Sequence, residues 1–163
     1  MAARPTIVPT LFYRDPLAAL KWLERAFGFE TTSLVVDAEG RVGHSEMDCF
    51  GAVISIGGEF TSPDLIGPAE MKSPASVGGA GTQFLRINLA EGLDDHCARA
   101  RAAGARITQD PADQFYGARV YRALDPEGHV WNFSQEVAQP SVAEMEAATG
   151  LTFHDSIAEA ERG

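Results

Sequence analysis

The chain has 163 residues, and 13 Lys and Arg against 23 Asp and Glu give it a formal net charge of −10. This length fits one compact domain or two very small modules that share a core, and the composition is that of a globular protein. Because so acidic a chain repels phosphates, nucleic acid is excluded as a partner. No apolar run approaches the roughly 20 residues that span a bilayer, so we expect no membrane partner.

The chain has two cysteines, Cys49 and Cys97, which match no CxxC motif and cannot form a disulfide framework. Residues 1–5 lead directly into a strand-like segment, without the apolar stretch of a signal peptide. We therefore predict a cytoplasmic location, with both thiols as small core residues.

A first module is predicted over residues 5–57. Its helix covers 16–27, because Asp15 can cap the N-terminus, leucines recur at helical spacing and Gly28 can end the helix with a positive φ. Four extended segments surround this helix, at 6–12, 31–36, 42–49 and 52–56. The predicted order is β-α-β-β-β.

A second module is predicted over residues 82–136, with a helix at 93–103. Its extended segments are 83–89, 106–108, 118–124 and 129–135, so the order is again β-α-β-β-β. Leu93 and Gly104 lie 76 residues after Leu17 and Gly28, and the last strands match at an offset of 77. A helix, its terminator and a final strand thus repeat in order, which indicates a duplication.

Two segments lie outside the repeated modules. Residues 58–81 are rich in Gly, Pro and Ser, which fits either a plain linker or a lid over a ligand site. In the tail, 137–163, Ser141 and Glu144 form a capping-box signature that predicts a short helix, packed on the body or on a partner subunit. We expect residues 1–136 to form one domain and residues 137–163 a helical tail.

The tandem modules resemble the vicinal oxygen chelate superfamily, which includes glyoxalase I, bleomycin-resistance proteins and extradiol dioxygenases. The segments 7–11 (IVPTL), 26–30 (AFGFE) and 44–47 (HSEM) look like the PhnB-like, glyoxalase-related branch. The most specific match is 114–119 (QFYGAR) followed by 125–131 (DPEGHVW). The resemblance covers residues 5–136 and implies an α+β fold, in which the two modules form a curved mixed sheet around a cleft. It also implies a homodimer.

The same resemblance implies a divalent metal, held by His, Gln or Glu from the first and last strands of each module. In this sequence the matching positions are Val8, Ser55, Phe84 or Leu85, and Asn132. None of them supplies the imidazole or carboxylate that Zn, Ni, Fe or Mn requires. A shift of one residue in strand register offers only Gln83. We therefore predict a cleft without a metal or other cofactor.

His44 and Glu46 lie two apart on one strand and share a face. They fit a proton donor and acceptor, a polar ligand site or a solvated strand face, and the sequence leaves these readings open. Arg86 offers a fork for carboxylate or phosphate, or it pairs with Glu46. The ligand-binding residues predicted for the cleft are Phe12, His44, Glu46, Ser55, Arg86, Asn88, Tyr121 and Asn132.

The remaining histidines are assigned structural or surface roles. His129 is expected to satisfy turn backbone, whereas His96 and His154 are expected at the surface of a helix and of the tail.

The leading hypothesis is a metal-independent protein that binds a small molecule, by sequestration or by an unassigned reaction. The alternative is a metal-dependent lyase or dioxygenase with a rearranged site built on His44, Glu46 and either Gln83 or His129. A third possibility is an interaction module with a vestigial cleft. The acidic charge suits a cationic ligand and Arg86 an anionic one, and the sequence does not decide between them.

Overall fold

The computed structural model describes residues 5–162. The first module contains β1 (Thr10–Tyr13), α1 (Pro16–Phe27), β2 (Glu30–Val36), β3 (Val42–Cys49) and β4 (Ala52–Gly58). The joining segment contains β5 (Phe60–Thr61), α2 (Pro63–Ile66), β6 (Glu70–Met71) and a 3₁₀ turn at Pro74–Ser76. The second module contains β7 (Phe84–Leu89), α3 (Leu93–Ala102), β8 (Arg106–Asp113), β9 (Ala118–Leu124) and β10 (Val130–Glu136). The tail contains α4 (Val142–Thr149) and α5 (Ile157–Ala160).

Each module folds into one four-stranded mixed sheet. The strand order is β1-β4-β3-β2 in the first sheet and β7-β10-β9-β8 in the second. In both sheets the first and last strands of the module run parallel, with Thr10 opposite Ser55 and Arg86 opposite Asn132. These two pairs are related by the offsets of 76 and 77 residues that the sequence shows. The predicted α+β fold of tandem β-α-β-β-β modules is confirmed.

Two predicted strand boundaries differ from the structure by more than two residues. β1 begins at Thr10 rather than at residue 6: its pairing with β4 starts with Thr10 opposite Ser55, directly after Pro9, which has no N–H to donate. β8 continues to Asp113 although it contains Pro111. This strand is at the edge of its sheet, where a proline's missing N–H leaves no partner unsatisfied, and its register shifts on either side of Gln109.

The two modules share one hydrophobic core, which lies between their helix-covered sheet faces. α1 packs on α3, and the ring of Phe27 lies 5.3 Å from that of Trp131 and 4.7 Å from that of Phe133. The indole Nε1 of Trp22 donates to the carbonyl of Ala103 at 2.9 Å, across the module boundary. One face of each sheet is therefore consumed by the core. We call the other face of each sheet its open face, although on the second sheet Val120, Asn132 and Ser134 of this face are themselves buried.

The joining segment folds back on itself and contacts the first module. The Glu59 carboxylate accepts a hydrogen bond from the backbone N–H of Ser73 at 2.8 Å, and Ser73 is buried. Hydrogen bonds from the Ser76 side chain and the Ser73 backbone lower the pKa of Glu59. The ring of Phe60 lies 5.6 Å from that of Phe12. Residues 59–76 are thus held by a hydrogen bond within the segment and by the contact of Phe60 with Phe12 of β1.

The tail begins with the predicted capping box. The Ser141 hydroxyl accepts from the backbone N–H of Glu144, whose carboxylate accepts from the backbone N–H of Ser141 at 2.8 Å. α4 ends at Gly150, which has a φ of 70°. Leu151 and Ile157 beyond it are exposed, so this part of the tail adds little to the core.

Both cysteines are free and buried, as the sequence predicts. Burial raises the pKa of the Cys49 thiol to about 12. Within residues 5–162, no helix has both the length and the apolar character needed to cross a membrane.

The buried carboxylate of Asp125 joins the modules by hydrogen bonds. Its Oδ2 accepts from the Tyr13 hydroxyl at 2.6 Å and from Trp131 Nε1 at 3.0 Å. Its Oδ1 accepts from the backbone N–H groups of Glu127 and His129, both at 3.0 Å. Burial, followed by the charge of Asp125, raises the pKa of Tyr13. The turn at 125–128 is therefore held to the end of β1.

Replacing Asp125 by Asn should lower the free energy of unfolding by on the order of 2–4 kcal/mol, because an amide cannot accept all four hydrogen bonds and its NH₂ opposes their donors. Tyr13→Phe, which removes one donor, should cost about 1–2 kcal/mol. Urea unfolding followed by fluorescence measures both. Asp95→Asn, on the exposed side of α3, is the matched control and should change stability by less than about 1 kcal/mol. An Asp125→Asn midpoint equal to that of this control would contradict the role of the carboxylate.

Candidate functional site

Strand alternation selects the side chains on the open face of the first sheet. Leu11 and Tyr13 of β1 are buried in the core, so Thr10 and Phe12 lie on the opposite face. Ser55 of β4 lies next to Thr10 across the parallel pairing. A cavity of about 870 Å³ opens here, and its lining includes Thr10, Phe12, His44, Ser55 and Phe60.

Charged side chains line the rim of this cavity. Arg41 Nε donates to Asp37 Oδ2 at 2.6 Å, and its Nη2 donates to Glu39 at 3.0 Å. Hydrogen bonds from the Arg41 backbone and guanidinium lower the pKa of Asp37. Arg14 is also part of the lining. The wall is thus aromatic at Phe12 and Phe60, while the rim carries both signs of charge.

His44 and Glu46 lie side by side, as their spacing predicts. His44 Nε2 is 3.5 Å from Glu46 Oε1, and the two side chains are 52% and 43% exposed. Ser45 between them points into the core, where its hydroxyl donates to the Ile56 carbonyl at 2.7 Å and accepts from the Ile56 N–H at 3.0 Å. This anchor fixes the pair on the open face. His44 lines the cavity, and Glu46 lies further along β3.

On the open face of the second sheet, three polar residues lie in a row. Arg86 of β7 is paired with Asn132 of β10, which is paired with Arg122 of β9. Asn132 is 6% exposed, and its buried Oδ1 has no hydrogen-bond partner among residues 5–162. In the same part of the chain Arg86 forms no ion pair, so the alternative in which it pairs with Glu46 does not occur within one chain. Asn88 is exposed on the same face.

The prediction that Tyr121 lines the cleft is wrong. Tyr121 lies opposite Phe133 and is fully buried, with its hydroxyl 2.6 Å from His96 Nδ1. His96 Nε2 is 2.9 Å from the Phe27 carbonyl, which can only accept, so Nε2 carries the hydrogen and Nδ1 accepts from Tyr121. His96 is therefore a bridge between the modules, in contrast to the surface role that the sequence suggested.

Arg122 is the residue of β9 that sequence reasoning missed. It lies on the open face because it neighbours Asn132, and its guanidinium donates to Gln109 Oε1. The sequence repeat could have identified Arg122, because it lies 76 residues after Glu46, a predicted site residue at the equivalent position of the first module.

The predicted residues fall into two groups, each on its own sheet. Phe12, His44 and Ser55 line the cavity of the first sheet, whose lining within the described chain comes only from residues 10–60. Arg86, Asn88 and Asn132 lie on the second sheet. The structure does not bring the two groups together in one cavity of a single chain.

The side chains do not fit the metal that the resemblance implies. Val8 and Phe84 are apolar and exposed, while Ser55 and Asn132 offer a hydroxyl and an amide. A rearranged site also lacks a third ligand. His129 is buried against Tyr13 at a ring distance of 4.4 Å, and its Nε2 donates to the Phe12 carbonyl at 2.9 Å. Residues 5–162 contain no cluster of three or more His, Cys, Asp or Glu side chains that could hold an ion.

The fold consists of two tandem β-α-β-β-β modules, and each module has a mixed sheet with one face turned away from the core. The chain belongs to the Glyoxalase/Bleomycin resistance protein/Dioxygenase superfamily, whose sequence model matches residues 6–133. No curated protein sequence matches the chain at a significant level.

Solved structures support the same fold. The chain is similar to TioX from Micromonospora sp. ML1, with 29% identity and a TM-score of 0.62 over 82% of this chain and 100% of that chain. It is also similar to a glyoxalase/bleomycin resistance protein/dioxygenase from Nocardioides, with 21% identity, 86% and 91% coverage and a TM-score of 0.60. A family enzyme from Burkholderia phytofirmans PsJN has 19% identity, 78% and 95% coverage and a TM-score of 0.56. The last two likenesses show the fold alone.

His96 should make the protein less stable below neutral pH. Burial, together with the charge of Arg99, lowers its pKa below the ordinary 6.5, so the folded chain binds this proton less readily than the unfolded chain. The contribution of neutral His96 to the free energy of unfolding is complete above pH 6.5. This contribution is lost as the pH falls towards the pKa of His96 in the folded chain, by no more than about 1.4 kcal/mol per pH unit.

Urea unfolding between pH 5 and pH 7.5 measures this dependence. The slope should shrink in His96→Gln and persist in His154→Gln, a control on the exposed tail. Equal slopes in wild type and His96→Gln would contradict the assignment.

Proposed function

We propose that the protein binds an organic small molecule on the open faces of its sheets, by sequestration or by an unassigned reaction, without a resident metal. The observation that carries this proposal is the chemistry of these faces. They offer aromatic rings, amides, hydroxyls and guanidinium groups, and the positions that hold metal in family members offer no imidazole or carboxylate.

The cavity of the first sheet supports ligand binding by its size. About 870 Å³ lies within the roughly 300–1,000 Å³ that is usual for small-molecule pockets. Phe12 and Phe60 form an apolar wall, and Ser55 with Thr10 supplies hydroxyls at the floor. The lining also includes charged side chains, among them Asp15, Arg41 and Glu59, so the cavity combines an aromatic wall with a polar rim.

A metal-dependent lyase or dioxygenase is the second candidate, and one observation favours it. The His44–Glu46 pair is accessible, and its two side chains are 3.5 Å apart on the open face. An imidazole and a carboxylate are good ligands, but in the described chain they would need a third ligand or water to complete a site.

Three further features belong to the same proposal. The protein would act as a homodimer, in which a second copy covers exposed apolar residues on the open face of the first sheet, such as Val35 and Val36. It would lie in the cytoplasm, where two free buried thiols are stable. Its body, 1–136, and its tail, 137–163, would be separate units, and its sequence resembles the PhnB-like branch.

Ligand binding should appear as a thermal shift in a screen of organic acids, amines and aromatic compounds. A ligand at 100 times its Kd stabilises the fold by about 2.7 kcal/mol. The shift should survive prior treatment with a strong chelator, because no metal takes part. For a ligand seated in the first cavity, Phe12→Ala should lower affinity about tenfold by removing a ring contact. Phe115→Ala removes an exposed ring outside that cavity and is the matched control.

Three results would overturn the proposal. Stoichiometric Zn, Ni, Fe or Mn in the purified protein, lost in His44→Ala, would favour the metal enzyme. Binding abolished by the chelator and restored by a metal would do the same. A broad screen without a single shift would favour a module whose faces are vestigial.

A further inference from the structure

We propose that the open face of the second sheet binds an organic anion that carries an O–H or N–H donor beside its carboxylate. Hydroxycarboxylates and N-acyl amino acids belong to this class. The inference rests on the proposed small-molecule function and names the ligand chemistry of one of its two faces.

The row of Arg86, Asn132 and Arg122 provides the geometry. The three residues are direct neighbours on β7, β10 and β9, and neighbouring strands lie about 4.8 Å apart. The backbones of Arg86 and Arg122 therefore lie about one strand spacing from that of Asn132, one on each side. Their long side chains can converge above the Asn132 amide. A guanidinium binds a carboxylate through two parallel hydrogen bonds, which an ammonium cannot reproduce.

The charge of this face is opposite to that of the whole chain. Alternation and register place three arginines on it, Arg86, Arg106 and Arg122. Of the carboxylates on its four strands, Glu136 shares this face, but it lies at the far end of β10 and accepts from Gln139 Nε2 at 2.7 Å. The face is cationic although the chain carries −10, which favours an anionic ligand there.

The other carboxylates near this sheet lie on its helix side and are engaged there. Asp94 and Asp113 both bind Arg119, at 3.0 Å and 2.8 Å. Arg119 shares the helix side of β9 with Tyr121, not the open face. Arg122 donates to the neutral amide of Gln109, which positions its guanidinium and leaves its charge uncompensated.

The amide of Asn132 defines the second feature of the ligand. Its Oδ1 is buried and lacks a hydrogen-bond donor within residues 5–162, and buried polar atoms are rarely left in that state. An acceptor between two guanidinium groups fits a ligand that presents an O–H or N–H next to its anionic group. A simple carboxylate has no such donor and leaves the oxygen unsatisfied.

The organic part of the ligand has an apolar surface available. Phe84 lies two residues before Arg86 on the same face of β7 and is 58% exposed. Such a ring can cover an aromatic or aliphatic group whose carboxylate reaches Arg86.

Two probes of the predicted class, mandelate and N-acetylphenylalaninate, test the inference against two matched compounds. Phenylacetate lacks the donor, and mandelamide lacks the charge. Titration followed by ¹H–¹⁵N NMR, including the side-chain signals of Asn132 and Arg86, gives affinity and location together. We expect at least one probe to bind with shifts centred on these residues, and both phenylacetate and mandelamide to bind at least tenfold more weakly than mandelate.

Arg86→Gln and Arg122→Gln should each weaken probe binding at least tenfold. Arg25→Gln, on the exposed side of α1, also removes one positive charge but lies outside the face, and it should leave affinity unchanged. Sedimentation velocity on the same variants tests the competing role, in which Arg86 binds a carboxylate of a second copy. Loss of an oligomer in Arg86→Gln without loss of probe affinity would overturn the inference.

The inference and the proposed function fail in distinguishable ways. If compounds of the broad screen bind but neither probe does, or if mandelamide binds as well as mandelate, the ligand class is wrong and the binding function stands. If nothing in the broad screen or the probe set binds, both are wrong. Probe affinity that is unchanged in Arg86→Gln and Arg122→Gln places the site elsewhere and also overturns the inference.

Discussion

The buried Asp125 carboxylate is the contact on which the arrangement of the two modules depends. It accepts hydrogen bonds from the Tyr13 hydroxyl of the first module and from the Trp131 indole of the second. It also accepts hydrogen bonds from two backbone N–H groups of the turn at 125–128 and of the residue after it. Because the modules meet through their helices and this turn, the helix-covered faces become interior. The opposite faces of both sheets carry the candidate site, so its position follows from how the modules are joined.

The duplication made most of the fold predictable, but not which face of every strand is open. Leu17 and Leu93, with Gly28 and Gly104, mark equivalent helices, and the registers of the parallel pairs follow the same offsets. Alternation alone did not predict which face of β9 is open, because this strand carries large side chains on both faces. Val120 and Tyr121 are both almost completely buried, so hydrophobicity alone could not show which side faces the helices.

Long-range hydrogen bonds account for the other features that the sequence did not reveal. Glu59 binds the Ser73 backbone, and His96 binds Phe27 and Tyr121. Neither interaction leaves a periodic pattern, since the partners are 14, 69 and 25 residues apart. From composition alone, the Gly- and Pro-rich segment 58–81 is therefore predicted to be a linker or a lid, and His96 to be a surface residue. Their ordered roles depend on contacts that only the folded chain creates.

The repeat also shows how two related faces acquire different chemistry. Thr10 and Ser55 of the first sheet correspond to Arg86 and Asn132 of the second, and Glu46 corresponds to Arg122. One face thus carries an imidazole–carboxylate pair beside an aromatic cavity, and the other a row of guanidinium groups around an amide. The net charge of −10 describes neither face. Ligand charge is decided locally, because the side chains that contact a ligand are closer and less screened than the distant acidic surface.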